Sequence, residues 1–358
     1  MAFMQLSRIY RYPVKGFTPE PLIRTRLVAG GGIPFDRACA FVCGNLPDPP
    51  VAGGWVPART FYQLTVYPEL AKYTAEFDDS EDRVLTVTAP DGAMARADLD
   101  MPQAFAGINR LIRERFEAGP HATPQLFVQA PGHGQWDFTD TAVSIINLAS
   151  VRALSEAIGE KLDPLRFRAN LYIDGIPAWR EFALIGRRLK VGDAEIEVMR
   201  PAMRCAATSA DPATGDTAIN VPVALRRLTG HLFCGVYARV TQSGNIASAS
   251  KIEDLGEWDG NPYDNLPVRT PEPNLWPRFV TVQRADDMMI LENPSGNWPF
   301  LQGAPGQTLK GHLAAARPLS LSIQDASQRQ FVVSGNPALT NASPGEQLVI
   351  TGPFGDAG

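Results

Sequence analysis

Cys205 closes the run Glu197-Val198-Met199-Arg200-Pro201-Ala202-Met203-Arg204-Cys205, and the turn signal Asp211-Pro212-Ala213-Thr214-Gly215 follows. An alternating strand that ends in Arg-Cys holds a lone thiol beside a cation, an arrangement that favours the thiolate. Soft thiolate suits a thiophilic metal. Four further places offer groups for an anionic partner. Lys15, in Tyr12-Pro13-Val14-Lys15-Gly16, follows a strand, and Gly16 permits close backbone approach. Arg37, after Asp36, opens the next strand. Arg168 and Asn170 alternate in Arg166-Phe167-Arg168-Ala169-Asn170-Leu171-Tyr172-Ile173 and are expected on one strand face. A guanidinium fork matches phosphate or carboxylate, and an amide matches a heterocycle edge. Asp140-Thr141 precedes a strand. Taken singly, Lys15 reads equally as a solvated turn lysine, Arg37 as an exposed ion pair and Asp140-Thr141 as turn chemistry.

The elements that must carry these groups are mostly strands. Residues 1 to about 100 contain short runs at Arg8–Tyr12, Leu22–Val28, Ala38–Cys43 and Val84–Thr88, separated by Gly, Pro and Asp, which fits a small antiparallel barrel or sandwich. Phe105, Ile108, Ile112 and Phe116 recur at helical spacing, with Gly119-Pro120 as the stop. In the middle region, Ala142–Ile146 reads as a strand. Val151, Leu154 and Ile158 form the stripe of a helix that Asn147 or Ser150 could cap and Gly159 could end. Leu189 and Val191 lead into Gly192-Asp193, and Ile196 and Val198 lead out, a hairpin that delivers the chain to Cys205. Asn220-Val221-Pro222 opens a helix ending near Gly230. Prolines 262, 267, 271, 273 and 277 mark a linker. Beyond it, a short-stranded β module runs to the end, with Leu309–Ala316 its one candidate helix. The expected class is mainly β with some α, divided as residues 1–120, 121–255, a linker at 256–278, and 279–358.

Composition narrows the function classes. The chain has 358 residues, 44% hydrophobic and 20% charged, with formal net charge −5, which argues against nucleic acid or anionic membrane as principal partner. No apolar run of spanning length and no signal-peptide pattern is evident, so a cytoplasmic location without a membrane span is expected. Four cysteines, none in Cys-x-x-Cys, make no disulfide framework. Cys39 and Cys43 read as small buried hydrophobes. The four histidines are scattered and suggest no zinc site.

Tyr12-Pro13-Val14-Lys15, the Gly-rich turn leading to Asp36-Arg37, Arg168-x-Asn170, Arg204-Cys205 with its Asp-Pro-x-Thr-Gly turn, and Gly235-Val236-Tyr237 followed by Val240 together resemble the MOSC family with its N-terminal β-barrel domain. The similarity covers about residues 5 to 255, in an N-terminal β-barrel domain, a MOSC β-barrel domain with flanking helices, and an extra C-terminal β domain outside the resemblance. It implies a molybdenum cofactor, the molybdopterin dithiolene of molybdenum. Cys205 matches the family's metal-binding cysteine, Lys15 and Arg37 match positions near the pterin phosphate, and Arg168 and Asn170 match cofactor-binding positions, with Arg204 beside the cysteine. Asp140 and Thr141 fall where the family has polar residues near the metal, and Asp140 is the candidate for proton delivery. The activity implied is that of the mitochondrial amidoxime reducing component and its bacterial counterparts: oxygen removal from a small N-hydroxylated substrate, with electrons from a separate reductase. Gly16 stands where those relatives usually have serine, and Met203 where a small residue is common. Two other roles stay open. One is a persulfide carrier in cofactor sulfuration, without the pyridoxal phosphate-binding domain of a complete sulfurase; the other is a non-catalytic cofactor-binding scaffold.

Overall fold

The computed structural model describes residues 4–43, 50–77, 83–116, 123–138 and 141–258, and beyond them the backbone of six strands. The chain divides into two compact units. One comprises Met1–Val151, Asp163–Pro222 and Leu232–Val268; the other comprises Arg152–Leu162, Val223–His231 and Arg269–Gly358.

The first unit begins with β1 (Gln5–Arg11), β2 (Glu20–Leu22), β3 (Arg24–Leu27) and β4 (Cys39–Cys43). Then come β5 (Thr74–Phe77), β6 (Val84–Thr88), β7 (Met94–Asp98), α1 (Ala106–Phe116) and β8 (Pro124–Val128). The strands β5-β6-β7 and the pair β4-β8 are antiparallel. They enclose a core with Phe17, Phe41, Tyr62, Leu85 and Val87, into which α1 sends Ile108 and Ile112. This is the N-terminal β-barrel domain. The Leu22–Val28 run is split: β2 pairs with β1, whereas β3 pairs with β14 (Gly244–Ala247).

The second half of this unit is built on one eight-stranded sheet in the order β15-β11-β12-β13-β9-β10-β1-β2. Its remaining members are β9 (Val143–Asn147), β10 (Leu171–Asp174), β11 (Arg187–Val191), β12 (Ala194–Met203), β13 (Phe233–Gln242) and β15 (Ile252–Glu257). Only β9 and β10 run parallel. The helix α2 (Leu148–Ile158) joins them, as a parallel pair requires a crossover. Asn147 caps it, Oδ1 accepting Ala149 N–H at 3.1 Å, and Gly159 leaves it at φ +75°. The hairpin β11–β12 turns at Gly192-Asp193 as expected. The third helix, α3 (Val221–Thr229), ends before Gly230 at φ +76°. Among the described residues, no helix is long and apolar enough to cross a membrane.

In the second unit, β16 (Arg278–Ala285), β17 (Met288–Glu292), β18 (Thr308–Leu313), β19 (Pro318–Ala326), β20 (Gln330–Ser334) and β21 (Gln347–Gly352) close a barrel in the order β16-β17-β20-β19-β18-β21. All its pairings are antiparallel. The candidate helix at Leu309–Ala316 is thus corrected: Thr308–Leu313 is the strand β18, paired on both sides. Two ladders of hydrogen bonds override the weak helical spacing. The proline-rich segment and Gly119-Pro120 lie outside the described residues.

Candidate functional site

Three chain crossings bring the cations together. The segment after β1 carries Lys15, and its backbone is tied to the start of β4: Lys15 N–H donates to Cys39 O at 2.8 Å and Cys39 N–H to Pro13 O at 3.0 Å. Arg37 does not open a strand. It sits two residues before β4 at φ +53°, where its N–H reaches Tyr12 O at 2.6 Å and the Asp36 carboxylate takes the Tyr12 N–H at 2.9 Å. The expected strand through Arg168 and Asn170 is also corrected. Pro164–Phe167 forms a 3-10 turn opened by the Asp163 side chain, Arg168 ends it at φ +50°, and β10 starts only at Leu171. Proline at the first turn position, with Asp before it, outweighs the alternation. Left-handed backbone at a residue other than glycine costs about 1 kcal/mol or more, and here it falls on both arginines.

Tyr12 lies between those arginines. Its ring is buried, with the Arg37 and Arg168 guanidinium carbons 4.6 and 4.5 Å from its centroid and its hydroxyl donating to Ala169 O at 3.1 Å. Cation–π attraction thus offsets part of the repulsion between two like charges. Burial pushes the phenol up to about 12 despite these cations. Burial also lowers Arg168, to about 10, helped by repulsion from Arg37. Arg37 pairs with Asp36 and donates to Arg168 O at 3.0 Å. Arg168 donates to Phe17 O at 2.8 Å and meets no carboxylate within ion-pair distance among the described residues.

The thiol enters from the far side. β12 ends at Met203, and Arg204 turns inward, 6% exposed, with Nε donating to Cys234 O at 2.7 Å and Nη1 to Phe167 O at 2.9 Å. Its Nη2 is buried without a hydrogen-bond partner. Arg204 therefore fixes the chain on both sides of itself, while Cys205 is exposed. The next residues wind into a 3-10 turn as Thr208 N–H and Oγ1 donate to Cys205 O at 3.1 and 2.8 Å. Arg166 anchors that segment, donating to Ser209 O at 2.5 Å and pairing with Asp211 at 2.8 Å. The Asp211 Oδ1 accepts the N–H groups of Ala213 and Thr214, which makes the Asp-Pro-x-Thr-Gly stretch an Asx-type turn.

Lys15, Arg37, Arg168, Asn170, Arg204 and Cys205 line one cleft of about 140 Å³. Asn170 serves the frame: Oδ1 accepts from Ser144 N and Oγ at 3.1 and 3.0 Å, and Nδ2 donates to Tyr10 O at 3.2 Å. Thr141 is half-buried and does not line the cleft, and Asp140 lies outside the described residues. Sequence reasoning missed Tyr12 as spacer and Asp137 on the cleft wall, whose carboxylate pairs with Lys15 Nζ at 2.5 Å. Tyr12 was signalled by its place in the Tyr-Pro-Val-Lys motif, Asp137 by nothing periodic. Phe138 also lines the cleft; with Tyr237 it encloses Arg200, whose guanidinium carbon lies 3.8 and 4.8 Å from the two ring centroids.

Glu181 is fully buried and pairs with no cation among the described residues. It accepts Ser150 Oγ at 2.7 Å, Asn147 Nδ2 at 3.1 Å and Gly235 N–H at 3.3 Å. Desolvation raises its carboxyl above the ordinary 4.5, and those hydrogen bonds only partly counter it. A carboxyl raised on folding contributes stability that is fully present below 4.5 and lost as pH climbs through the native value. Thermal unfolding should therefore show a decline in stability that sets in near 4.5 and ends once pH has passed the native value. Glu181→Gln is expected to flatten it; an unchanged slope would assign the decline elsewhere.

Two family profiles match this chain, the MOSC N-terminal beta barrel domain over residues 3–123 and the MOSC domain over residues 117–253. Among characterised proteins, the chain is 33% identical over 118 residues to a molybdenum cofactor sulfurase of Caenorhabditis elegans, covering 32% of this chain and 16% of that protein. It is 25% identical over 193 residues to the molybdenum cofactor sulfurase of Caenorhabditis briggsae, covering 49% of this chain and 27% of that one. The chain thus spans only a minor part of the length of these relatives. Among solved structures, the YUAD protein from Bacillus subtilis is similar at 12% identity and a TM-score of 0.34, over 70% of this chain and 93% of that one. YiiM from Geobacillus stearothermophilus is similar at 20% identity and a TM-score of 0.26, over 32% and 53%. The two profiles together run from residue 3 to residue 253, and on that span the chain belongs to the MOSC family, an N-terminal β-barrel domain followed by a MOSC domain.

Proposed function

We propose that the chain binds molybdenum cofactor in this cleft, with Cys205 as its thiolate to the metal, and is an oxidoreductase that removes oxygen from small N-hydroxylated bases such as amidoximes and hydroxylamines. The observation carrying this reading is that an exposed thiol and a guanidinium, Arg168, that meets no carboxylate within ion-pair distance among the described residues line the same cleft. The donor set fits the group. A phosphate monoester carries about −1.5 to −2 charges at neutral pH, and Lys15, Arg37 and Arg168 offer three cations with side chains largely withdrawn from water. The unpartnered Arg204 Nη2 on the same wall marks further unsatisfied donor capacity.

When bound, the cofactor supplies two-electron oxygen-atom chemistry. The chain's residues do the rest. Lys15, Arg37 and Arg168 hold the phosphate by charge-assisted hydrogen bonds. Tyr12 and Asn170 keep the arginine-bearing turns in place, the first by stacking and the second by joining Ser144 to Tyr10. Arg204 holds the backbone through Cys234 and Phe167 so that the Cys205 thiol stays outward. Asp140 would be the proton donor, and electrons would come from a separate reductase. A second reading, Cys205 as a persulfide carrier in cofactor sulfuration, is favoured by the 33% match to the nematode sulfurase.

The test is molybdenum and pterin content, and reoxidation by an amidoxime, for protein purified from cells that make the cofactor. Near one molybdenum per chain with amidoxime-dependent turnover is expected. Added sulfur mass on Cys205 without metal would select the carrier reading instead. Arg168→Ala should weaken cofactor retention by about 2–3 kcal/mol, a loss of roughly 100-fold, because it removes charged hydrogen bonds to the phosphate. Molybdenum content equal to wild type would take Arg168 out of the site.

A further inference from the structure

Two carboxylates stand beside the three cations, and they are held very differently. Asp36 is 4% exposed, takes the Tyr12 N–H at 2.9 Å and pairs with Arg37. It is part of the frame. The Asp137 side chain is 59% exposed, and its hydrogen bond goes to Lys15 Nζ at 2.5 Å. Lys15 itself is only 11% exposed and is held from behind by Gln135 O at 3.1 Å. The backbone around Asp137 is pinned. Gln135 N–H donates to Arg37 O at 2.8 Å, and the Phe138 ring meets Tyr237 edge-on with a centroid separation of 5.4 Å. The carboxylate therefore reaches from a fixed strap into the cleft and can swing away from it by side-chain rotation alone.

We infer that Asp137 is a displaceable carboxylate that occupies Lys15 in the cation cradle and competes with an incoming phosphate group for that ammonium. The inference rests on the phosphate-binding reading above and adds what selects the ligand. Lys15, Arg37 and Arg168 together hold the Asp137 carboxyl below its ordinary value although desolvation would raise it. That is the field a bound anion would feel. A singly charged anion gains little by exchanging with a carboxylate already in place. A phosphate dianion gains more from the same three cations, because its charge is greater and it has more acceptor oxygens. Asp137 thus favours phosphate monoesters over carboxylates and keeps the cradle from holding weaker anions.

Titration of inorganic phosphate into purified wild type, Asp137→Asn, Lys15→Ala and the double variant tests this, with thermal unfolding as the control for folding. Asp137→Asn should bind phosphate about fivefold more tightly, because the Lys15 ammonium no longer has to be taken from a partly exposed ion pair. The gain should vanish in the Lys15→Ala background, since the two residues act as one pair. If Asp137→Asn binds equally or more weakly while Lys15→Ala still loses affinity, Asp137 does not compete and the inference fails with the cradle intact. If Lys15→Ala binds as wild type in both backgrounds, the phosphate cradle itself is lost.

Discussion

Cys205→Ser is expected to leave a folded protein that no longer reduces an amidoxime. The folded half of that expectation follows from exposure. The Cys205 side chain faces solvent, and it is the Cys205 carbonyl, which serine retains, that receives Thr208. Substitutions of this kind fall within about 0.5 kcal/mol of wild type. The functional half follows from ligand softness: a hydroxyl replaces the thiol that, among the described residues, is the one lining the cleft. The other described cysteines provide the contrast. Cys39 and Cys234 are fully buried, and desolvation pushes the Cys39 thiol up to about 12 and Cys234 higher still. Serine at either should destabilise the fold by burying a hydroxyl, without altering the metal centre of the protein that does fold. Metal content, the metal's spectroscopic signature and amidoxime-dependent turnover, measured beside the thermal midpoint, separate the two classes. Full turnover in Cys205→Ser would end its assignment as metal ligand.

The class, the three helices and the hairpin to Cys205 were legible because each rests on a local signal. Apolar spacing marks α1 and α2, and Gly192-Asp193 sits between two alternating runs. The cations on the cleft were legible by residue type, but their placement was not. Arg37 and Arg168 read as strand residues and are instead in left-handed turns. Such turns are stabilised by distant partners, Tyr12 O for one and the Asp163–Pro164 turn with Tyr12 stacking for the other. Tertiary contacts of that kind leave no periodic trace in sequence. The framing bonds of Asn170 were hidden for the same reason. A polar residue beside an arginine suggested a ligand contact; Asn170 does line the cleft, and its amide also joins Ser144 and Tyr10 across the sheet. Thr141 precedes Ala142, which lines the cleft, but is not itself a lining residue. Asp137 had no motif at all, and only the closure of residues 135–138 against Arg37 brings it to Lys15.

Gly235→Ala should be the most damaging single-atom change near the site. Gly235 lies in β13 at φ +79°, where the register against β12 shifts between Pro201 and Met203. It is the glycine of a β-bulge. An added Cβ would lie 2.4 Å from Ile145 O in the neighbouring strand β9 and 3.0 Å from Arg204 Nη2. The first is a backbone atom in a paired strand and cannot step aside. The bulge has a purpose for the site, because it turns Cys234 O toward Arg204 Nε and Gly235 N–H toward Glu181. Alanine therefore adds the left-handed cost of about 1–2 kcal/mol to an overlap that forces β9 and β13 apart, for a total of roughly 3 kcal/mol or more. Gly92→Ala separates the two effects. Gly92 also has positive φ, +85°, but nothing lies within 4 Å of its Cβ position, so only the backbone cost of about 1–2 kcal/mol applies there. Denaturant unfolding of both variants should show Gly235→Ala losing clearly more stability than Gly92→Ala. Equal losses would mean that β9 and β13 can yield at the bulge, and Arg204 would then not depend on its geometry for holding Cys205 outward.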